Sequence, residues 1–188
     1  MSSTEAQTQQ LGEACLGTLS GWSAPSGEQH ALRQRYLKHL GRHRHGWSRQ
    51  CPGAHLTASA LICAEVERQV LLTLHARIGR WLQTGGHLEE ADRTLEAAAL
   101  REAVEESGLA GLVLDPAPLL LSRHLVTCAG EPTFHLDVQF LARVPRAHAP
   151  TVSEESLDLR WFSHNGLPDV DDSVQDLVRA AGNRLGWH

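Results

Sequence analysis

No stretch of the 188-residue chain approaches the ~20 consecutive apolar residues that a membrane-spanning helix needs. The first ten residues are polar, without the basic start and apolar run of a secretory leader, so the expectation is a cytoplasmic protein. Cysteine is sparse. Cys15, Cys51, Cys63 and Cys128 stand far apart with no Cys-x-x-Cys pair, and they read as reduced thiols. Basic residues fall short of acidic ones, 17 against 22, and the formal net charge is -5. That balance excludes a general attraction for nucleic-acid polymers and anionic membranes. It leaves room for a small phosphorylated ligand, because a bound cation reverses the sign locally. There is no internal repeat and no low-complexity tract.

An apolar share of 41% and a charged share of 21% suit one domain with a sizeable core. Residues 1–53 read as an N-terminal extension, partly disordered at its polar start. It holds one helix at 28–40, where Leu32, Tyr36 and Leu40 recur at four-residue spacing. A loop crowded with His, Arg and Gly follows at 41–53. The domain proper is expected over 54–188. Apolar runs at 56–64 and 70–75 predict two strands, and the 65–69 turn between them predicts a hairpin. A short apolar piece at 81–83 meets the Gly85-Gly86 break. Residues 95–107 are rich in Ala and Leu and predict a helix, with Gly108 as its stop. Strands are predicted at 116–127, 134–144 and 158–162, with a loop at 128–133 and a closing helix at 172–185. Strands on both sides of one central helix imply a mixed α/β layer fold.

The informative segment is that central helix. Glu102, Glu105 and Glu106 stand at i, i+3 and i+4 and share one face. Their mutual repulsion becomes attraction when a hard cation such as magnesium takes the carboxylate oxygens. Arg101 precedes Glu105 by four residues and is placed to orient a carboxylate through two hydrogen bonds. The double glycine allows backbone to approach a ligand where a side chain blocks it. Three glutamates alone more often mark a solvated helix face. The glycines before them, the Arg-Glu start and the Gly stop shift that balance.

The segment Arg101-Glu102-x-x-Glu105-Glu106-x-Gly108-Leu109 resembles the core of the Nudix box, and the wider similarity runs from about Ala54 to Trp161. The resemblance implies an α/β/α sandwich around a mixed β-sheet. It implies a hydrolase that cleaves a diphosphate linkage in a nucleoside-diphosphate-linked small molecule, using water activated by magnesium or manganese. Position by position, it makes Glu102, Glu105, Glu106 and the Gly86 carbonyl the metal ligands, and Arg101 the residue that orients the glutamates. Glu105 is the in-box candidate for general base and Glu155 a second one. A homodimer is a family-level expectation. This chain departs from the pattern in two respects. The stretch from glycine to Arg101 is one residue longer, so Arg93 stands where an earlier glutamate is usual and Asp92 or Glu89 takes its role. Ala103 is smaller than the usual aliphatic.

Outside the box, Arg80 and His87 flank the glycines and are candidates for phosphate contact, as is Arg77. His124, Cys128 and His135 come nearest to a metal cluster among the twelve histidines. Their placement at a strand end and loop favours a substrate-lining role for His124 and His135. Two other functions compete. An isopentenyl-diphosphate isomerase-like enzyme shares the scaffold but needs a Cys-Gly-His loop, and here that position reads Gly85-Gly86-His87. A non-catalytic ligand-binding Nudix domain usually loses box glutamates, and all three are present.

Overall fold

In a computed structural model, described for residues 3–128, 130–151 and 156–187, four helices enclose one curled, eight-stranded sheet. The helices are α1 (Ser3–Gly21), α2 (Gly27–Arg42), α3 (Leu95–Ser107) and α4 (Asp172–Leu185). The strands are β1 (Ala54–Ala64), β2 (Gln69–His75), β3 (Trp81–Leu82), β4 (Thr84–His87), β5 (Val113–Leu114), β6 (Leu120–Cys128), β7 (Glu131–Val144) and β8 (Ser156–Ser163). Among the described residues no helix is long and apolar enough to cross a membrane.

At the centre β1 runs parallel to β7, with Ala54 opposite Phe134 and Ala64 opposite Val144. Both are covered on both faces, which accounts for the near-continuous apolar run of β1. Alternate residues divide between two cores. Leu56, Ala58, Ala60 and Ile62 face α1, α2 and α3, whereas Leu61 and Cys63 face α4. The molecule is therefore an α/β/α sandwich on a mixed sheet, as expected.

The other edge of β1 forks. Its end pairs with β2 through Ile62 to Ala64, and its middle pairs with β4 through Thr57 to Ala60, both antiparallel. One strand cannot hold both partners along its full length, so β2 and β4 diverge. That fork lifts the double glycine into position beside α3. The predicted break at Gly85-Gly86 is thus a short paired strand.

The helices at 95–107 and 172–185 match α3 and α4 residue for residue. Differences lie elsewhere. The extension holds two helices where one was expected, because Leu11, Cys15 and Leu19 recur every four residues and are buried under the sheet. Helical structure begins at Ser3, within the polar start expected to be disordered. The strand predicted from 116 begins at Leu120, since Pro116 and Pro118 restrict the backbone before it. Conversely, β6 and β7 pair as far as Cys128 and Glu131, so the strands run through most of the expected 128–133 loop.

Candidate active site

Thr94 caps α3, its hydroxyl accepting from the Ala97 N–H at 3.1 Å. Gly108 ends it with φ 64°, donating its N–H to the Val104 carbonyl at 2.8 Å. Leu95, Ala98, Ala99 and Ala103 are fully buried on the sheet side. Alanine at these positions lets the helix sit close to β1 and β4. The opposite side carries Arg101, Glu102, Glu105 and Glu106.

The glycines meet those carboxylates directly. A Cβ on Gly86 would lie 2.6 Å from Glu102 Oε1, so only glycine admits that carboxylate. The Gly85 N–H donates to Glu106 Oε1 at 2.8 Å. A Cβ on Gly85, whose φ is 155°, would come within 2.3 Å of Ser59 Cβ on β1. Both glycines are therefore required by close approach, one to the helix and one to the sheet.

Arg101 ties the loop together. It holds Asp92 through two hydrogen bonds, Nε to Oδ1 at 3.1 Å and Nη2 to Oδ2 at 2.9 Å. It also donates to the His87 carbonyl at 3.0 Å, to Glu102 at 3.0 Å and to Glu105 at 3.1 Å. Hydrogen bonding to Asp92 is the chief reason its guanidinium is held even more firmly protonated than usual. Asp92 is buried and also accepts from the Glu89 N–H at 2.8 Å, closing the bulged loop on itself. Glu89 reaches Arg101 only at 3.9 Å from an exposed position. Of the two stand-ins for the displaced glutamate, Asp92 is the one that pairs with the arginine.

These groups line an open cleft of about 550 Å³. Gly86, His87 and the box glutamates form one wall, and Trp47, Arg49 and Gln50 form another. The second wall was not anticipated. It comes from the His- and Arg-rich loop after α2, whose only sequence signal was its composition. Arg80 is exposed on the β2–β3 turn and does not line the cleft, and neither does Arg77. His124 is exposed on β6, and His135 lies behind His87 with ring centres 4.9 Å apart. Glu155, with Glu154, lies outside the described residues. Burial, reinforced by neighbouring imidazoles and Arg49, pushes His87 down to about 4 and His135 down to about 3, so both rings are neutral near pH 7.

The model of the NUDIX domain matches residues 53–180. The chain belongs to the Nudix family. It is an enzyme of the Nudix pyrophosphohydrolase kind, acting on phosphoanhydride bonds, and such enzymes generally use divalent metals. No curated protein matches the chain. Among solved structures, a NUDIX-family hydrolase from Clostridium perfringens is 25% identical, with a TM-score of 0.53 over 70% of this chain and 96% of that one. The NUDIX domain of Shewanella oneidensis NrtR, complexed with ADP ribose, is 20% identical with a TM-score of 0.55, over 69% and 87%. A C. elegans Ap4A hydrolase binary complex is 17% identical with a TM-score of 0.54, over 71% and 98%. The last two likenesses speak to the fold alone.

Proposed function

We propose that this Nudix chain hydrolyses the diphosphate linkage of a nucleoside-diphosphate-linked small molecule, in the cytoplasm, with magnesium or manganese. The observation that carries this reading is the Glu102 carboxylate packed against Gly86, within a face of three glutamates of which Arg101 holds Glu102 and Glu105 and the Gly85 N–H holds Glu106. The donor set fits a hard divalent cation: carboxylate oxygens with backbone beside them and no Cβ in the way. In the proposal Glu102, Glu105, Glu106 and the Gly86 carbonyl hold it. When bound, such an ion activates water and neutralises charge developing on the diphosphate.

The remaining work belongs to the chain's own residues. Arg101 keeps Glu102 and Glu105 in place and clamps the His87 carbonyl, so the loop presents its glycines to the cleft. Glu105 is the most solvent-accessible of the residues paired with Arg101 on this helix and is the in-box candidate to take a proton from the attacking water. Arg49 is placed to meet phosphate oxygens from the facing wall, and Trp47 and Gln50 to contact the group beyond them. That wall belongs to residues 1–53, read as an extension to a catalytic domain at 54–188. Selectivity therefore rests partly on the extension.

A magnesium-dependent substrate panel with products identified by mass tests the reading. It includes nucleoside triphosphates, nucleoside diphosphate sugars, ADP-ribose, dinucleoside polyphosphates, coenzyme A and isopentenyl diphosphate. Cleavage at a diphosphate, lost on chelation, is the expected result. Silence across the panel from folded, magnesium-bound protein would favour a ligand-binding role. Glu106→Gln removes most activity while the protein stays folded, because Gln keeps the acceptor for the Gly85 N–H but loses the charge. Wild-type turnover by that variant would refute the metal assignment.

A further inference from the structure

Behind the cleft, four strands bring three imidazoles and a thiol together. His55 on β1 is opposite His135 on β7 in the parallel register, and their ring centres are 4.9 Å apart. His87 on β4 completes a near-equilateral triangle, 5.1 Å from His55 and 4.9 Å from His135. Cys128, at the end of β6, places its sulfur 3.8 Å from His87 Nε2. One nitrogen or sulfur from each of the four lies within 4.8 Å of all the others.

His55 is the telling residue. Its side chain is fully buried, yet among the described residues neither ring nitrogen finds a hydrogen-bond partner, although the Cys51 backbone lies near. His135 Nε2 is likewise buried and unpartnered among them. Buried polar atoms of this kind cost free energy unless something satisfies them. One donor atom from each of the four residues lies within 4.8 Å of the others, a spacing too wide for hydrogen bonds to satisfy them all. A cation at their centre would satisfy several at once.

We propose that His55, His87, Cys128 and His135 form a second metal centre, separate from the carboxylate face, that takes a zinc-class transition-metal ion. The donor chemistry selects the class. Three imidazoles and a thiolate are borderline-to-soft ligands that suit zinc in a closed tetrahedral site, whereas magnesium requires oxygen donors. The edge of a zinc tetrahedron is about 3.4 Å, from bond lengths of ~2.0–2.3 Å. Contraction from 4.8 Å requires modest rotation, which half-buried His87, Cys128 and His135 allow. Binding converts the Cys128 thiol to thiolate and releases its proton to solvent. The bound ion would pin β1, β4, β6 and β7 at the point where β4 delivers Gly85-Gly86 to α3. Its role is structural, and it fixes the loop without touching the diphosphate.

The test is cobalt(II) titration of the full-length chain after chelation, using the metal salt alone. The expected result is one tightly bound equivalent showing tetrahedral visible bands and a near-ultraviolet thiolate-to-cobalt band. Cys128→Ser abolishes that near-ultraviolet band. Glu106→Gln, on the carboxylate face, retains it, and excess magnesium does not displace the ion. Absence of the band in folded wild-type protein, or its persistence in Cys128→Ser, would overturn the proposal. Should Cys128→Ser unfold, alkylation of wild-type Cys128, mapped by mass with and without zinc, decides: protection supports the site, and unchanged labelling overturns it.

Discussion

Asp92 shows how a box loop one residue longer still brings an acid to Arg101. The extra residue displaces the usual glutamate, and the loop bulges until a shorter acid reaches Arg101 from a buried position. Asp92→Asn should therefore weaken magnesium activation by about 10- to 100-fold, the range for groups that orient metal ligands. Glu89→Gln should change it little, since Glu89 is exposed and 3.9 Å away. Activity titrated against magnesium separates the two, and equal effects would refute the assignment. His39 carries a different residue-scale prediction. Burial lowers its basicity below the ordinary 6.5, and its Nε2 lies 3.0 Å from the Gly46 carbonyl. The unfolded chain then binds more protons at this position, so stability is lost as pH falls below about 6.5. The slope from one group is at most about 1.4 kcal/mol per pH unit. Urea midpoints at pH 7.5 and 5.5 should fall further apart in wild type than in His39→Gln, whose amide still donates to Gly46.

At the level of elements, α3 combines two jobs that pull against each other. Its outer face gathers like charges, which destabilises an isolated helix. Its inner face supplies Ala98, Ala99 and Ala103 to the core, and its ends are capped by Thr94 and Gly108. Packing and capping offset the repulsion. Thr94→Ala should cost about 1 kcal/mol of folding stability, measured by chemical denaturation, and leave the KM for substrate nearly unchanged at temperatures where the protein stays folded. A large KM change would show that the cap also shapes the loop before it. The helix and its stop were legible in the sequence because propensity, periodicity and the terminal glycine all agree. The pairing of β4 with β1 was not, because two adjacent glycines carry no strand preference and their partner is 24 or more residues away.

For the molecule as a whole, the N-terminal helices are part of the sandwich. Leu11, Cys15 and Leu19 of α1 and Tyr36 and Leu40 of α2 join the core that α3 and the sheet share. The Tyr36 hydroxyl donates to the Ser122 carbonyl at 2.6 Å, and Gln29 bridges to the backbone of Leu121 at 3.0 and 2.7 Å. Leu19→Ala should destabilise the chain by about 2–5 kcal/mol, the cost of a large cavity. A shift in denaturation midpoint near zero would mean that α1 docks loosely. Such docking also gives the loop carrying Trp47, Arg49 and Gln50 a fixed place across the cleft.

The central helix, its three-glutamate face, the glycines that precede it and the layered fold class were all legible along the chain. Each of these depends on local spacing or propensity, which a linear chain displays. Tertiary structure alone decided that Asp92 pairs with Arg101, that the extension supplies a cleft wall, and that His55 and Cys128 join His87 and His135. His55 and His135 are 80 positions apart and meet only because β1 and β7 run parallel in one register. The substrate-lining candidates His124 and Arg80 were reasonable by chain proximity, yet both are exposed outside the cleft lining, His124 on β6 and Arg80 on the β2–β3 turn. Chemistry that needs neighbours along a helix is written in spacing, whereas chemistry that needs neighbours across a sheet depends on register, which only the assembled fold defines.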